Sequence, residues 1–171
     1  MEILFVLLFV FLSVAVSLGV GCSTVAIINF FTAIADGKID ESERHMMGST
    51  YVLLRVAMGL ILCTFVGLWL FGAVGVATTL YGTTTSIAVA ALTVVLYSNA
   101  ILMTYRIMPS TFGPAIQAGS WYTLGVVMAL AALSITAYPV VVFVLGYACV
   151  ITLAVALVNF GMTYLKHRKP A

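Results

Sequence analysis

No aspartate, glutamate, lysine or arginine occurs between Glu2 and Asp36, between Arg55 and Arg106, or between Arg106 and Lys166. Stretches of that length have no charged face to offer water, and the solvent that suits them is lipid. Within lipid every backbone N–H and C=O must be paired inside the chain, so the runs are expected as helices. Only 7% of the 171 residues are charged, against about a quarter in a soluble domain. The remainder is too small to build a second, water-facing domain.

About 20 apolar residues at about 1.5 Å each cross a hydrocarbon core. Five segments qualify, roughly 3–33, 51–75, 86–105, 118–137 and 139–165. The expected fold is all-α: a polytopic membrane helix bundle of five transmembrane helices, forming a single transmembrane domain over 1–171. Between the spans, Asp36-Gly37-Lys38-Ile39-Asp40-Glu41-Ser42-Glu43-Arg44 is too charged for lipid. Thr78 to Ser86 is polar and carries Gly82, and Pro109-Ser110-Thr111-Phe112-Gly113-Pro114 reads as a turn with two prolines. Pro139 suits the first turn of a helix, where a missing N–H costs nothing, so the fourth loop is expected to be very short.

Basic residues orient the bundle. With five spans, the first loop, the third loop and the C-terminus share one side. Lys38, Arg44, Arg55, Arg106, Lys166, Arg168 and Lys169 all fall there or within a turn or so of it, and the other side has no Lys or Arg. By the positive-inside rule that side is the cytoplasm, with the N-terminus outside and the C-terminus inside. Four or six spans would scatter the same charges. Trp69, Tyr81 and Tyr138 then fall near the outer interface, and Trp121, Tyr122 and Tyr164 near the inner one, as anchors. The first run lacks a basic flank and continues to about Ala35, so it reads as a retained helix rather than a signal peptide.

Polar residues inside the spans are unevenly placed. Asn29, Arg55, Asn99, Gln117, Ser120 and Asn159 all fall in the cytoplasmic half, whereas the outer half holds only hydroxyls. Polar groups in lipid seek partners and face the bundle interior. These six therefore form the candidate binding site, a polar intramembrane cluster opening toward the cytoplasm. Arg55 is near a helix end, so it can snorkel to the interface, bond Asn29 or a loop carboxylate, or hold a ligand. Small residues at Ser13, Ser17 and Gly21 share one helix face and suit close backbone approach, within a subunit or between subunits. Ala88, Ala90 and Ala91, and Ala129, Ala131 and Ala132, are read the same way.

Catalytic and metal chemistry finds little footing. Cys22, Cys63 and Cys149 lie in apolar runs and read as small buried hydrophobes. No Cys/His spacing suits zinc or covalent haem. Residues 36–43 resemble the second half of a calcium-binding EF-hand loop, but the first-half ligands would fall on Thr32 and Ile34, neither a carboxylate. Asp40 followed by Glu43 reads instead as a capping box, opening a short interfacial helix within the cytoplasmic loop 36–50. His45 and His167 sit outside the spans, and no span carries a buried carboxylate or a Ser/His pair. No catalytic residue, metal site or cofactor is assigned, and the chain is not read as an enzyme. No basic face exists for nucleic acid, and the expected partner is the lipid bilayer.

Gly19-Val20-Gly21, Thr24, Phe30-Phe31, Asp36-Gly37-Lys38-Ile39, Glu43 and Asn99 resemble a group of small bacterial integral membrane proteins. That group is distantly similar to the copper-resistance D type and to haem-associated membrane proteins. The resemblance covers the first three spans and implies a bacterial cytoplasmic membrane. Such proteins often carry a histidine in the first span and another near the end of a later one. Here those regions read Phe11-Leu12-Ser13 and Met103-Thr104-Tyr105-Arg106, so the resemblance implies the architecture without the haem ligands. Three readings stay open: non-enzymatic handling of a small solute or ion, as a monomer or homo-oligomer; a structural or accessory subunit of a membrane complex; and a haem- or quinone-binding redox protein.

Overall fold

The computed structural model describes residues 2–35, 40–70, 82–108 and 112–167. These residues form α1 (Glu2–Ala35), α2 (Glu41–Leu70), α3 (Thr83–Thr104), α4 (Phe112–Ala132) and α5 (Val140–His167). All five are long and apolar enough to cross a membrane, as in a multi-pass membrane protein.

The helix ends show why the boundaries fall where they do. The Asp40 amide donates to Glu43 Oε2 at 3.2 Å, and the Glu43 amide donates to Asp40 Oδ1 at 2.7 Å. This is the reciprocal capping box expected from sequence. The helix it opens is not a separate interfacial piece, however. Residues 41–50 run unbroken into the second span, because nothing between the cap and Leu70 interrupts the helical ladder.

The other helix boundaries also depart from expectation. α4 begins at Phe112 rather than near 118, taking Gly113 and Pro114 into its first turn. Proline is harmless there, since the first turn has no internal acceptor for its N–H. α4 stops at Ala132 rather than 137. Ser134 adopts φ 60°, its amide donates to the Ala131 carbonyl at 3.0 Å, and the Ile135 amide donates to Leu130 at 2.9 Å. That pair of bonds is a Schellman ending, made without glycine. α3 ends the same way, with Arg106 at φ 56° donating to Met103 at 3.1 Å and Ile107 to Leu102 at 3.0 Å. The connection to α5 is consequently longer than expected. The Pro139 carbonyl accepts the first helical bonds of α5, from Val142 and Phe143.

α4 lies at the centre, packed on α1, α3 and α5, while α2 packs chiefly on α1. In α4 61% of the most apolar stretch is buried, against none of the corresponding stretch of α5, so α5 is a peripheral helix. α4 carries Gly113, Gly119, Gly125, Gln117, Ser120 and Thr123, residues that a lipid-facing helix would not favour. Trp121, Leu124 and Ser120 on α4, Leu92 and Leu96 on α3, and Ile61 on α2 are the largest fully buried side chains.

Trp121 is therefore a core residue and not an interfacial anchor. Gly19 on α1 makes room for it: a Cβ at 19 would lie 2.5 Å from Trp121 Cδ2 and closer still to Cε3 and Cζ3. The α1 packing face runs through Ala15, Gly19 and Ser23, two residues out of phase with the Ser13, Ser17, Gly21 stripe. Ser17 and Gly21 are exposed, and a Cβ at Gly21 would touch nothing within 4 Å. Two residues rotate a helix by about 200°, so the expected stripe lies on the far side. The alanine stripes are mixed: Ala88 and Ala131 are buried, whereas Ala90, Ala91, Ala129 and Ala132 are exposed. Of the cysteines only Cys22 is buried, and Cys63 and Cys149 are on the surface of the bundle.

Candidate functional site

Asn99 sits near the end of α3 and is buried. Its Nδ2 donates to the Gly113 carbonyl at 2.9 Å and to Gln117 Oε1 at 2.9 Å. Those bonds tie α3 to the first turns of α4. The Gly113 carbonyl is within reach because glycine there brings the helix close to Met103, whose Cγ would lie 2.8 Å from a Cβ at 113. Gln117 uses its carbonyl on Asn99 and leaves its amide nitrogen 3.9 Å from the soft Met58 sulfur. The amide thus keeps donor capacity in hand.

Gln117 borders an open pocket of ≈ 240 Å³, with Tyr51, Leu54, Arg55 and Met58 from α2 and Ala100, Met103 and Thr104 from α3. The pocket exists because α2 and α3 barely meet: α2 leans on α1, and α3 leans on α4. The main tie between them is Tyr97, whose hydroxyl donates to the Met58 carbonyl at 2.8 Å. That bond closes the cleft above Met58 and Ala100, toward the middle of the bundle. The lining residues of α2 and α3 lie between that bond and the helix ends that carry Arg44 and Arg106.

A second cavity of ≈ 40 Å³ adjoins the first, sharing Tyr51, Leu54, Met103 and Gln117. It reaches inward to Ser23, Phe30 and Pro114. Ser23 is buried, and its hydroxyl has no hydrogen-bond partner among the described residues. Asn99 Oδ1 and Trp121 Nε1 are likewise buried without a partner. Ser23, Tyr51, Arg55, Thr104 and Gln117 supply the polar groups of an otherwise apolar lining, and no acidic side chain is among the described lining residues.

The six polar residues expected to cluster divide into separate groups. Gln117 and Arg55 both line the pocket, and Asn99 stands behind Gln117, bonded to its carbonyl. Asn29 turns to Thr50, with Nδ2 3.5 Å from Oγ1, and so braces α1 against α2 instead of pairing with Arg55. Ser120, one turn along α4, turns toward α5, where its hydroxyl and that of Tyr147 lie 2.8 Å apart. It is a strut between α4 and α5. Asn159 is exposed on α5 and makes no side-chain hydrogen bond among the described residues. Its place on the outward face of a peripheral helix removes it from the cluster. Residues 36–39 lie outside the described residues, as do the side chains of His167 and the residues after it.

The aromatic members of the site were not legible as such. Tyr97 ties α3 to α2 beside the pocket and Tyr51 lines it, and the sequence singles out neither. Their signal was only their depth: each falls within about two turns of a polar residue, Tyr97 of Asn99 and Tyr51 of Arg55. Met58 and Met103 also line the pocket. Among the described residues no group of three or more His, Cys, Asp or Glu side chains could hold a metal ion.

No protein-family model, curated protein or solved structure matches the chain.

Proposed function

We propose that this multi-pass membrane protein holds a small molecule in the cleft between α2 and α3, without catalysing its conversion. In this reading the whole chain is one transmembrane domain of a bacterial cytoplasmic membrane, with the N-terminus outside and the cleft open to the cytoplasm. The observation that carries the reading is the pocket of ≈ 240 Å³ bordered by Arg55 and Gln117. Intramembrane polar and charged groups are expensive, and they collect where a solute or ion is handled. Here two of them, Arg55 and Gln117, converge on space rather than on each other. Support also comes from the placement of Arg44, Arg55 and Arg106 at the end of the bundle where the cleft opens. A proton-coupled carrier is a poorer fit, because no described acidic residue lies within the bundle.

Native mass spectrometry and absorption spectroscopy, on protein extracted gently from the membrane that makes it, test the proposal. A bound small molecule is expected, with occupancy that falls in the pocket-filling variant Met58→Trp. A bare mass in every preparation of folded protein overturns the proposal. A haem spectrum overturns it in favour of the redox reading.

A further inference from the structure

The cleft opens sideways as well as endways. Its two long walls, α2 and α3, meet only sparsely, and Tyr51, Arg55 and Thr104 on its rim are exposed, so the gap reaches the outer surface of the bundle. Most of its lining is apolar: Leu54, Met58, Ala100 and Met103. Among the described residues Arg55 is the one charged residue on it, and the side chain is exposed.

Among the described residues no carboxylate neutralises Arg55. Asp40 and Glu43 are engaged in the capping box, and Glu43 is twelve residues away along α2, about 18 Å at the helical rise. Glu41 is farther still. The depth of Arg55 is also informative. Trp69, 74% exposed, suits an interfacial position at the other end of α2. Counting back about 20 residues, the span of a hydrocarbon core, reaches about residue 49–50. Arg55 is then about 8 Å inside the boundary, and an arginine stem can return its guanidinium to the headgroup level. Gln117 Nε2 and Thr104 stand on the opposite wall.

Resting on the small-molecule reading above, we propose that the occupant is a membrane lipid with an anionic phosphate headgroup, drawn from the leaflet on the Arg55 side. Its phosphate sits on the Arg55 guanidinium, with the Gln117 amide as a further donor. Its acyl chain lies between α2 and α3 against Leu54, Met58, Ala100 and Met103. Arginine offers phosphate a planar fork of donors, which sets an anionic head apart from a zwitterionic one whose charge is already balanced. The apolar walls favour a lipid over a free anion, which would leave them unmatched.

The full chain in nonionic detergent, titrated with phosphatidylglycerol, phosphatidylcholine or sodium phosphate and read by native mass spectrometry and thermal unfolding, decides the matter. Phosphatidylglycerol is expected to bind and raise the unfolding temperature. Phosphatidylcholine is expected to bind about tenfold more weakly, the scale of one charge-assisted hydrogen bond, and sodium phosphate not to bind. Arg55→Gln should bring phosphatidylglycerol to the phosphatidylcholine level and Arg55→Lys should restore part of the difference. Arg44→Gln, about three turns away on the same face, should change nothing. Equal binding of the two lipids, stabilisation by phosphate alone, or indifference to Arg55→Gln would each overturn the lipid assignment. If no lipid binds but native protein still carries a molecule displaced by Met58→Trp, the lipid assignment fails and the small-molecule reading stands. If neither is found, both fail.

Discussion

Adding one methyl group at Gly19 should damage the bundle far more than adding one at Gly21. At Gly19 the new Cβ would fall 2.5 Å from Trp121 Cδ2 and closer to two other ring carbons. Carbon atoms rest at about 3.5–4.0 Å, so α1 or the ring must yield by about 1 Å or more. The ring has nowhere to go, being 0% exposed at the crossing of α1 with the central helix. Overpacking of this kind costs about 1–3 kcal/mol, and a blocked indole belongs at the upper end. At Gly21 the same methyl meets nothing within 4 Å. Both substitutions gain the same helix propensity, about 0.8–1.0 kcal/mol for glycine to alanine, so that contribution cancels in the comparison. The predicted gap between Gly19→Ala and Gly21→Ala is therefore about 2–3 kcal/mol, roughly a hundredfold in the folding constant. Dodecyl sulfate titration in mixed micelles measures it, with Trp121 as the reporter in a Trp69→Phe background. Equal stabilities, or Gly21→Ala as the weaker variant, would falsify the placement of α1 against α4.

Other substitutions probe the remaining joints. Asn99→Leu removes two interhelical hydrogen bonds, each worth about 0.6 kcal/mol and at most about 1.7 within a membrane. It should cost about 1–2 kcal/mol in the same titration, and less than additively when combined with Gln117→Leu. Arg106→Gly and Ser134→Gly each relieve a left-handed residue at φ 56° and φ 60°. Each should stabilise by about 1 kcal/mol, and a loss of stability at both would show that the side chains there do more than occupy the turn. Asp40→Ala opens the capping box and should cost about 1 kcal/mol. It should be seen as faster amide hydrogen exchange over 41–44, and unchanged exchange there would mean that the cap is not holding the end of α2.

The architecture was written in the charge-free runs, since a chain in lipid has few choices besides the helix. The capping box was equally legible, because Asp40 and Glu43 carry it in their own side chains. The two Schellman endings were not. Arg106 and Ser134 occupy positions where glycine is the usual marker, so the end of α4 was read five residues too late. The face of α1 was misread because Ser13, Ser17 and Gly21 form as good a small-residue stripe as Ala15, Gly19 and Ser23. Only the partner, Trp121 across the α1–α4 crossing, distinguishes them, and it is a hundred residues away in sequence. The candidate site was half legible. Depth in the bilayer picked out Asn99, Gln117 and Arg55, but the same depth also swept in Asn29, Ser120 and Asn159, which point elsewhere. Depth is a coordinate along the helix, and it says nothing about the angle around it.

Cysteine accessibility at Ala100 bears most directly on the cleft. Ala100 lines the pocket and is partly exposed. Ala100→Cys, in a chain with Cys22, Cys63 and Cys149 replaced by alanine, would be treated with a membrane-impermeant maleimide in intact cells and in inverted vesicles. Labelling in the vesicles alone, slowed when Met58→Trp fills the pocket, is the expected result for a cleft open to the cytoplasm. Labelling of intact cells would reverse the orientation, and no labelling from either side would mean that the cleft is closed to water and holds nothing from the aqueous face.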